Sequence, residues 1–187
     1  SSAASPLKGM FTGDNDRFVR FFWEVAPLKL GCQDRSESSN SVEKWYPYIK
    51  GGTFRKWYGN TIHVVRYFRD GIELRRSGSY GERNPSFYFK ECVTWSDITS
   101  FSTFAGRYCE SGFLTSSVGC GIFSDELDLK FLTGLTCAKP TSIWLQIINP
   151  TLHANPGDLE VIPICGQASA ELRTVVGANS ECCIDAA

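Results

Sequence analysis

Helical and extended patterns intermix along this chain without the strand–helix–strand rhythm of a doubly wound sheet. That irregular order is what most constrains its fold. Residues 12–26, TGDNDRFVRFFWEVA, predict a helix: Phe18, Val19, Phe21, Phe22 and Val25 recur at helical spacing, and Pro27 lies just past the end. Thr12, Asp14 or Asn15 can cap it, and capping explains Asp14 and Asp16 better than a metal pair does. Phe18, Phe22 and Trp23 are expected in the core. Residues 61–68, TIHVVRYF, are β-branched and aromatic and read as a strand; Asp70-Gly71 marks a turn, and 72–76 continue as strand or helix start. Residues 31–44 and 77–86 read as loops. Strands are expected over 87–95 and 112–123, and a helix capped by Ser124 over 124–138. A short helix with Pro140 in its first turn follows over 140–148. LEVIPI at 159–164 reads as a buried extended segment, and a last helix starts near Gln167. The sum is α+β: a mixed sheet with packed helices in a single compact domain over 9–187, preceded by a linker or remnant over 1–8.

The 187 residues carry a formal charge of only −1, which hides an asymmetry. Residues 1–109 hold 16 Lys+Arg against 11 Asp+Glu, and residues 110–187 hold 3 against 9. The stretch from Lys44 to Arg69 contains no acid, but has Lys44, Lys50, Arg55, Lys56, Arg66 and Arg69. A basic block attracts a polyanion locally, whatever the overall charge.

Catalytic templates are missing. There is no Gly-x-Gly-x-x-Gly, no phosphate loop ending in Gly-Lys-Ser/Thr and no Gly-x-Ser-x-Gly. His63 sits in a strand pattern and His153 in a loop; both read as structural or exposed. Of the eight cysteines, none forms Cys-x-x-Cys and none stands at ligand spacing from a histidine, so the zinc template fails. Cys92, Cys137 and Cys165 lie in apolar stretches, and the adjacent Cys182 and Cys183 are poorly placed to bridge each other. Free thiols, and with them a cytoplasmic home, are expected. No run of 18 apolar residues suggests a membrane span, and no signal-peptide pattern opens the chain.

The informative segment is WYPYIKGGTFRKWYGN at 45–60. Lys50, Arg55 and Lys56 suit phosphates. Gly51-Gly52 permits close backbone approach. Asn60 and the arginines carry donor patterns that read base edges, and Trp57 and Tyr58 can stack on a base or sugar. On these residues alone, nucleic acid, carbohydrate and protein surfaces all remain open.

TGDNDRFVRFFWEV at 12–25, WYPYIKGGTFRKWYGN at 45–60, FYFKECVTW at 87–95, and IINPTL with GDLEVIPI between 147 and 164 together resemble one family. It is the region downstream of the catalytic domain in adenine-specific DNA methyltransferases of the bacteriophage-exclusion (PglX-like) type, related to restriction-modification methyltransferases with TaqI-like specificity domains. KGGTFRKWYGN is the most specific part of the match, which runs in order over most of the chain. Cys120 in SSVGCGIF and Cys182-Cys183 depart from the family pattern. The resemblance implies a target-recognition domain excised from a larger enzyme that methylates N6 of adenine with S-adenosylmethionine. The fragment itself would have no catalytic residue, metal or cofactor. Asn149-Pro150-Thr151-Leu152 lacks the second proline and the aromatic of an Asn-Pro-Pro-Tyr catalytic tetrapeptide, so it belongs to the recognition region. The implied partners are double-stranded DNA, the parent's catalytic domain and other phage-defence proteins, with no membrane. The candidate phosphate contacts are Lys50, Lys56, Arg66 and Arg69. The candidate base-edge readers are Arg55, Asn60, Arg75, Arg76, Arg83 and Asn84, with Trp57 and Tyr58 available to stack. Strand alternation puts Arg66 and Arg69 on opposite faces unless a strand end intervenes. Two competitors stand beside this reading: a protein-interaction module for an acidic or DNA-mimicking partner, and a carbohydrate module stacking sugars on Trp45, Tyr46, Trp57 and Tyr58.

Overall fold

A computed structural model describes residues 3–31, 44–98, 104–164 and 168–187. In chain order the elements are β1 (Ser5–Leu7), α1 (Asn15–Phe18), β2 (Val19–Phe21), β3 (Trp45–Ile49), β4 (His63–Arg66), α2 (Phe68–Arg76) and β5 (Cys92–Ser96). Then come β6 (Arg107–Cys109), β7 (Leu114–Thr115), β8 (Gly119–Phe123), α3 (Leu129–Cys137), α4 (Lys139–Ile148), α5 (Pro156–Glu160) and α6 (Ala170–Asp185). Single 3₁₀ turns occur at Phe22–Glu24, Pro27–Lys29 and Pro85–Phe87. The strands form two sheets, ordered β1-β8-β5-β6 and β2-β4-β3-β7, antiparallel except for the parallel pair β3–β7. The architecture is α+β in one domain, with helices packed on the first sheet.

Strand alternation divides the interior. Val93 and Trp95 of β5 and Cys120 and Ile122 of β8 face Phe131, Leu132, Leu145 and Leu159 of the helices. Cys92, Cys109 and Phe123 point the other way and meet Ile49 of β3, so a small apolar cluster joins the sheets. The second sheet builds an aromatic core of Phe18, Tyr46, Tyr48, Tyr67, Tyr88 and Phe89 with Met10, Val65, Leu74 and Leu114. Trp95 Nε1 donates to Ala154 O at 2.8 Å, tying the first sheet to the segment before α5.

Several sequence expectations hold. β4 falls within 61–68, α4 covers 140–148 with Pro140 in its first turn, and Asp14 caps α1 by accepting from Arg17 N at 3.1 Å. Others give way. The helix over 12–26 is one turn of α1, then β2 and a 3₁₀ turn. Val19 is β-branched and a run of aromatics follows it, so the segment gains more by pairing Val19 with Val65 and Phe21 with His63 than by continuing as helix. Phe18 is buried as expected, but Phe22 and Trp23 are 49% and 60% exposed. Within the linker expected over 1–8, Ala4 joins the core and Ser5–Leu7 pairs with Gly121, Ile122 and Phe123.

The strand expected over 112–123 splits into β7 and β8 in different sheets. The break is fixed by Ser116 Oγ, which accepts from Val118 N and Gly119 N at 3.2 and 2.7 Å. That over 87–95 starts only at Cys92. The helix expected from Ser124 begins at Leu129, because Asp128 accepts from Lys130 N and Phe131 N at 2.6 and 2.9 Å. LEVIPI is not extended at its start. Asn155 N donates to Asp158 at 2.8 Å and opens α5, which leaves Leu159 buried and Val161 exposed. The last helix starts at Ala170, capped by Ser169; Gln167 and most of the 31–44 loop lie outside the described residues. The six described cysteines are free, and Cys32 and Cys165 lie outside them. Among the described residues, no helix is long and apolar enough to cross a membrane.

Phe18→Ala is expected to cost roughly 3–5 kcal/mol of unfolding free energy, whereas Phe22→Ala should stay within about 0.5 kcal/mol. Denaturant titration of both variants checks this, and equal losses would place Phe22 in the core after all.

Candidate nucleic-acid interface

The loop from Lys50 to Ile62 joins β3 to β4, and its backbone is unusual. Gly51, Gly52, Trp57, Gly59 and Asn60 all have φ in the left-handed region, at 80, 136, 70, 113 and 61°. A non-glycine residue such as Trp57 holds that conformation only where its surroundings enforce it. Here they do: Trp57 N donates to Gly106 O at 3.2 Å, and Trp57 O accepts from Tyr108 N at 2.8 Å, so the loop hooks onto β6. Lys56 Nζ donates to Cys137 O at 3.3 Å, at the negative end of the α3 dipole. Ser96 Oγ donates to Gly52 O at 3.3 Å. Asn60 Nδ2 donates to Thr53 O at 2.9 Å and closes the loop on itself. The result is a docked, acid-free loop.

Sequence-predicted residues in this loop divide by what they touch. Arg55 is exposed, its stem lying over Gly59. Lys50 is half-buried beside His63, whose pKa is lowered by burial and then by the Lys50 charge. Lys56, which is exposed, and Asn60 each spend one hydrogen bond on holding the loop. Trp57 and Tyr58 are half-buried, and burial, followed by Glu110 and Cys109, pushes the Tyr58 hydroxyl up.

The remaining candidates lie elsewhere. In the β3–β4 pair, Tyr48 faces His63 and Trp45 faces Arg66, so the loop and Arg66 stand at opposite ends of β4, about 10 Å apart along the strand. Arg66 pairs with Glu73 at 2.9 Å, and Arg75 bridges Asp70 and Glu82 at 3.1 and 2.7 Å. These two arginines are thereby partly neutralised. Arg69 is exposed after the strand end, in a left-handed run with Asp70 and Gly71, and its guanidinium lies 5.1 Å from the Phe68 ring. Arg76 and Arg83 are exposed. Asn84, also left-handed, donates to Lys8 O at 3.0 Å and shapes a turn. The structure therefore brings together residues 50–60 and sets the α2 arginines apart as a second group.

Two features escape the sequence reading. Phe21, Phe22 and Trp23 form an exposed aromatic cluster, with Phe21 stacked on Trp23 at 4.6 Å and tilted against His63 at 5.0 Å. It borders a recess lined by Asp16, Arg20, Glu24, Lys50 and His63. The alternation of β2 carried this signal, masked by the helical spacing. The second is Arg107, in TFAGRYC, which is only 2% exposed beneath the loop. Its Nη2 donates to Ser96 Oγ at 3.2 Å and its Nε has no partner. Burial lowers its pKa to about 10, against the opposing effect of Cys109 and Cys137. The sugar-stacking platform is also corrected: Tyr46 lies in the aromatic core, facing away from solvent, so the four rings share no open surface. Among the described residues, no cluster of three or more metal-ligating side chains occurs.

No family model matches the chain. It is 32% identical over 179 residues to the adenine-specific methyltransferase PglX of Lacticaseibacillus casei (strain Zhang), covering 90% of this chain and 15% of that protein. It is 35% identical over 162 residues to the adenine-specific methyltransferase BrxX of Escherichia coli O9:H4 (strain HS), covering 84% of this chain and 13% of that protein. The chain thus spans only 13–15% of the length of these relatives and corresponds to a small part of each.

Because His63 has a lowered pKa in the folded state, the unfolded chain binds its proton more tightly. Stability from this residue is fully present above the unfolded pKa near 6.5 and is lost as pH falls towards the folded value. Thermal melts from pH 7.5 down to pH 5 should show this loss, and His63→Gln should flatten it; an unchanged profile would remove His63 as its source.

Proposed function

We propose that this chain is the DNA-recognition part of an N6-adenine methyltransferase, docking on duplex DNA to position a catalytic domain supplied by the rest of such an enzyme. The observation that carries the reading is the docked loop 50–60. It exposes Arg55, holds Lys50 half-buried at its edge, contains no acid, and sits in a chain whose sequence matches part of two adenine-specific methyltransferases. Phosphate contacts would fix register and base-edge contacts would specify sequence. Within the loop, Arg55 is the best-placed base reader, since its guanidinium is exposed and fits a guanine edge. Lys50 suits a phosphate. Asn60, Lys56 and Asn84 act mainly by holding the surface in shape. Arg69, Arg76 and Arg83 remain candidates for flanking phosphates, while Arg66 and Arg75 are held by their acids. Extruding the target adenine from the stack would fall to the parent's catalytic domain, in the cytoplasm where the DNA is.

We propose that cofactor chemistry lies outside this chain. Asn149, the one residue that could suggest a methyltransferase tetrapeptide, has its amide committed. Nδ2 donates to Asp158 at 2.7 Å and to His153 O at 3.0 Å, and Oδ1 accepts from Thr151 N at 3.0 Å. It organises the turn between α4 and α5. We therefore expect no S-adenosylmethionine binding by this chain, and no catalysis.

A second reading is favoured by a different observation. Ile143, Trp144 and Ile147 of α4 are exposed together, as are Phe22 and Trp23. Such apolar groupings suit a protein neighbour, and a DNA-mimicking acidic protein would compete with DNA for the loop.

Lys50→Ala should weaken binding to all duplexes alike and lower the salt slope by about one, whereas Arg55→Ala should cost roughly 1–3 kcal/mol on the cognate site and less elsewhere. Fluorescence anisotropy across a salt series reads both effects. Wild-type slopes and affinities in both variants would make the loop scaffold only. Calorimetric titration with S-adenosylmethionine should be flat, and a micromolar isotherm would overturn the expectation of a fragment without cofactor.

A further inference from the structure

Arg107 is a buried charge with no ion-pair partner among the described residues. It pairs across the ladder with Thr94, so its side chain shares a face with Thr94 and Ser96. Ser96 in turn pairs with Gly119, and a Cβ on Gly119 would fall 2.6 Å from Gly51 N. A Cβ on Gly51 would lie 3.5 Å from Ser96 Oγ. These contacts stack the parts in order: Arg107 at the floor, Ser96 above it, and the Gly51-Gly52 backbone on top. Arg107 Nη2 donates to Ser96 Oγ, and Ser96 Oγ donates to Gly52 O. No described carboxylate forms an ion pair with Arg107, and residues 50–60 contain none. A buried guanidinium without a counter-charge is costly, and such a group persists where an anion completes it.

The loop above supplies what an anion needs. Among the described residues, the backbone N–H groups of Gly52, Thr53, Phe54, Arg55 and Lys56 donate to no acceptor. The left-handed glycine pair turns the chain at the start of this run, with the exposed amides of 52–56 following it.

We infer that residues 51–56, Ser96 and Arg107 form a phosphodiester-binding site, in which loop amides bond the anion and Arg107 holds it electrostatically from below through Ser96. The inference rests on, and deepens, the reading of this chain as a duplex-DNA-binding domain. Arg107 is a positioning charge: it acts through Ser96 and through a low-dielectric layer, where its field is weakly screened. The site takes a singly charged phosphate oxygen of the DNA backbone, flanked by Lys50 and Arg55 for neighbouring phosphates.

Amide NMR of the 187-residue chain, titrated first with inorganic phosphate and then with a short duplex, tests this. The resonances of Gly52, Thr53 and Phe54 should shift saturably with both. Arg107→Met should abolish the shifts, lower duplex affinity about tenfold and reduce the salt slope by about one. Its melting temperature should equal or exceed that of the wild type, because an uncompensated buried charge has gone. Arg107→Lys should restore part of the affinity, and Ser96→Ala, which leaves the buried charge in place, should lose affinity as Arg107→Met does. Duplex binding that is unchanged in both Arg107→Met and Ser96→Ala overturns the site and leaves the DNA reading standing. A phosphate response at the loop without any duplex binding overturns the DNA reading and with it the assigned occupant. Shifts confined to surface lysines show an adventitious ion only, and overturn the site.

Discussion

Where the two sheets meet there is no room for a side chain. A Cβ on Gly119 would stand 2.3 Å from Ile49 O, and one on Gly9 would stand 1.9 Å from Thr115 O. Backbone therefore packs on backbone at the end of β3, and the direction in which the chain leaves Ile49 is set by that contact. The loop that follows inherits its position from it. Gly51 sits against Val118 O, Gly52 accepts from Ser96, and Trp57 reaches the outer side of β6. A residue with a side chain at position 119 would push apart the sheets and the loop together.

This explains why a surface loop of more than ten residues can present charge in fixed directions. Three tethers hold it to the first sheet and its helices: the Trp57 hook, the Lys56 contact with the end of α3, and the Ser96 bond. With those contacts made, the outward face is left to Arg55, with Lys50 half-buried at its edge, and the inward face to the buried Arg107. Structural contacts and outward-facing charge are thus divided residue by residue within one short sequence. Preorganisation of this kind lowers the ordering cost of binding a polyanion.

Much of this was legible in the residues. TIHVVRYF showed β4 because it is rich in β-branched and aromatic residues, and Pro140 marked the start of α4. The acid-free run and its glycines pointed to the loop that the structure shows docked. The run after Phe18 misled, because Phe18, Val19, Phe21, Phe22 and Val25 satisfy helical spacing as readily as an edge strand followed by a turn. Only the partner strand β4, far along the chain, decides between them. The sequence does not mark out Arg66 of β4 and Arg75 of α2, since the acids they meet become partners only through the left-handed turn after β4. Arg107 escaped because burial of a lone arginine depends on a loop that comes far earlier in the chain, around Trp57.

The hook at Trp57 has a consequence for the protein's behaviour in a crowded cell. β1 and β6 are the outer strands of the first sheet, and an unguarded outer strand invites pairing with another molecule. On β1, Pro6 removes one amide donor. On β6, the bridge between Trp57 and Arg107 occupies the positions a foreign strand would use. The loop is therefore also a guard against self-association. A change that loosened the Trp57 hook would free this edge for intermolecular sheet growth.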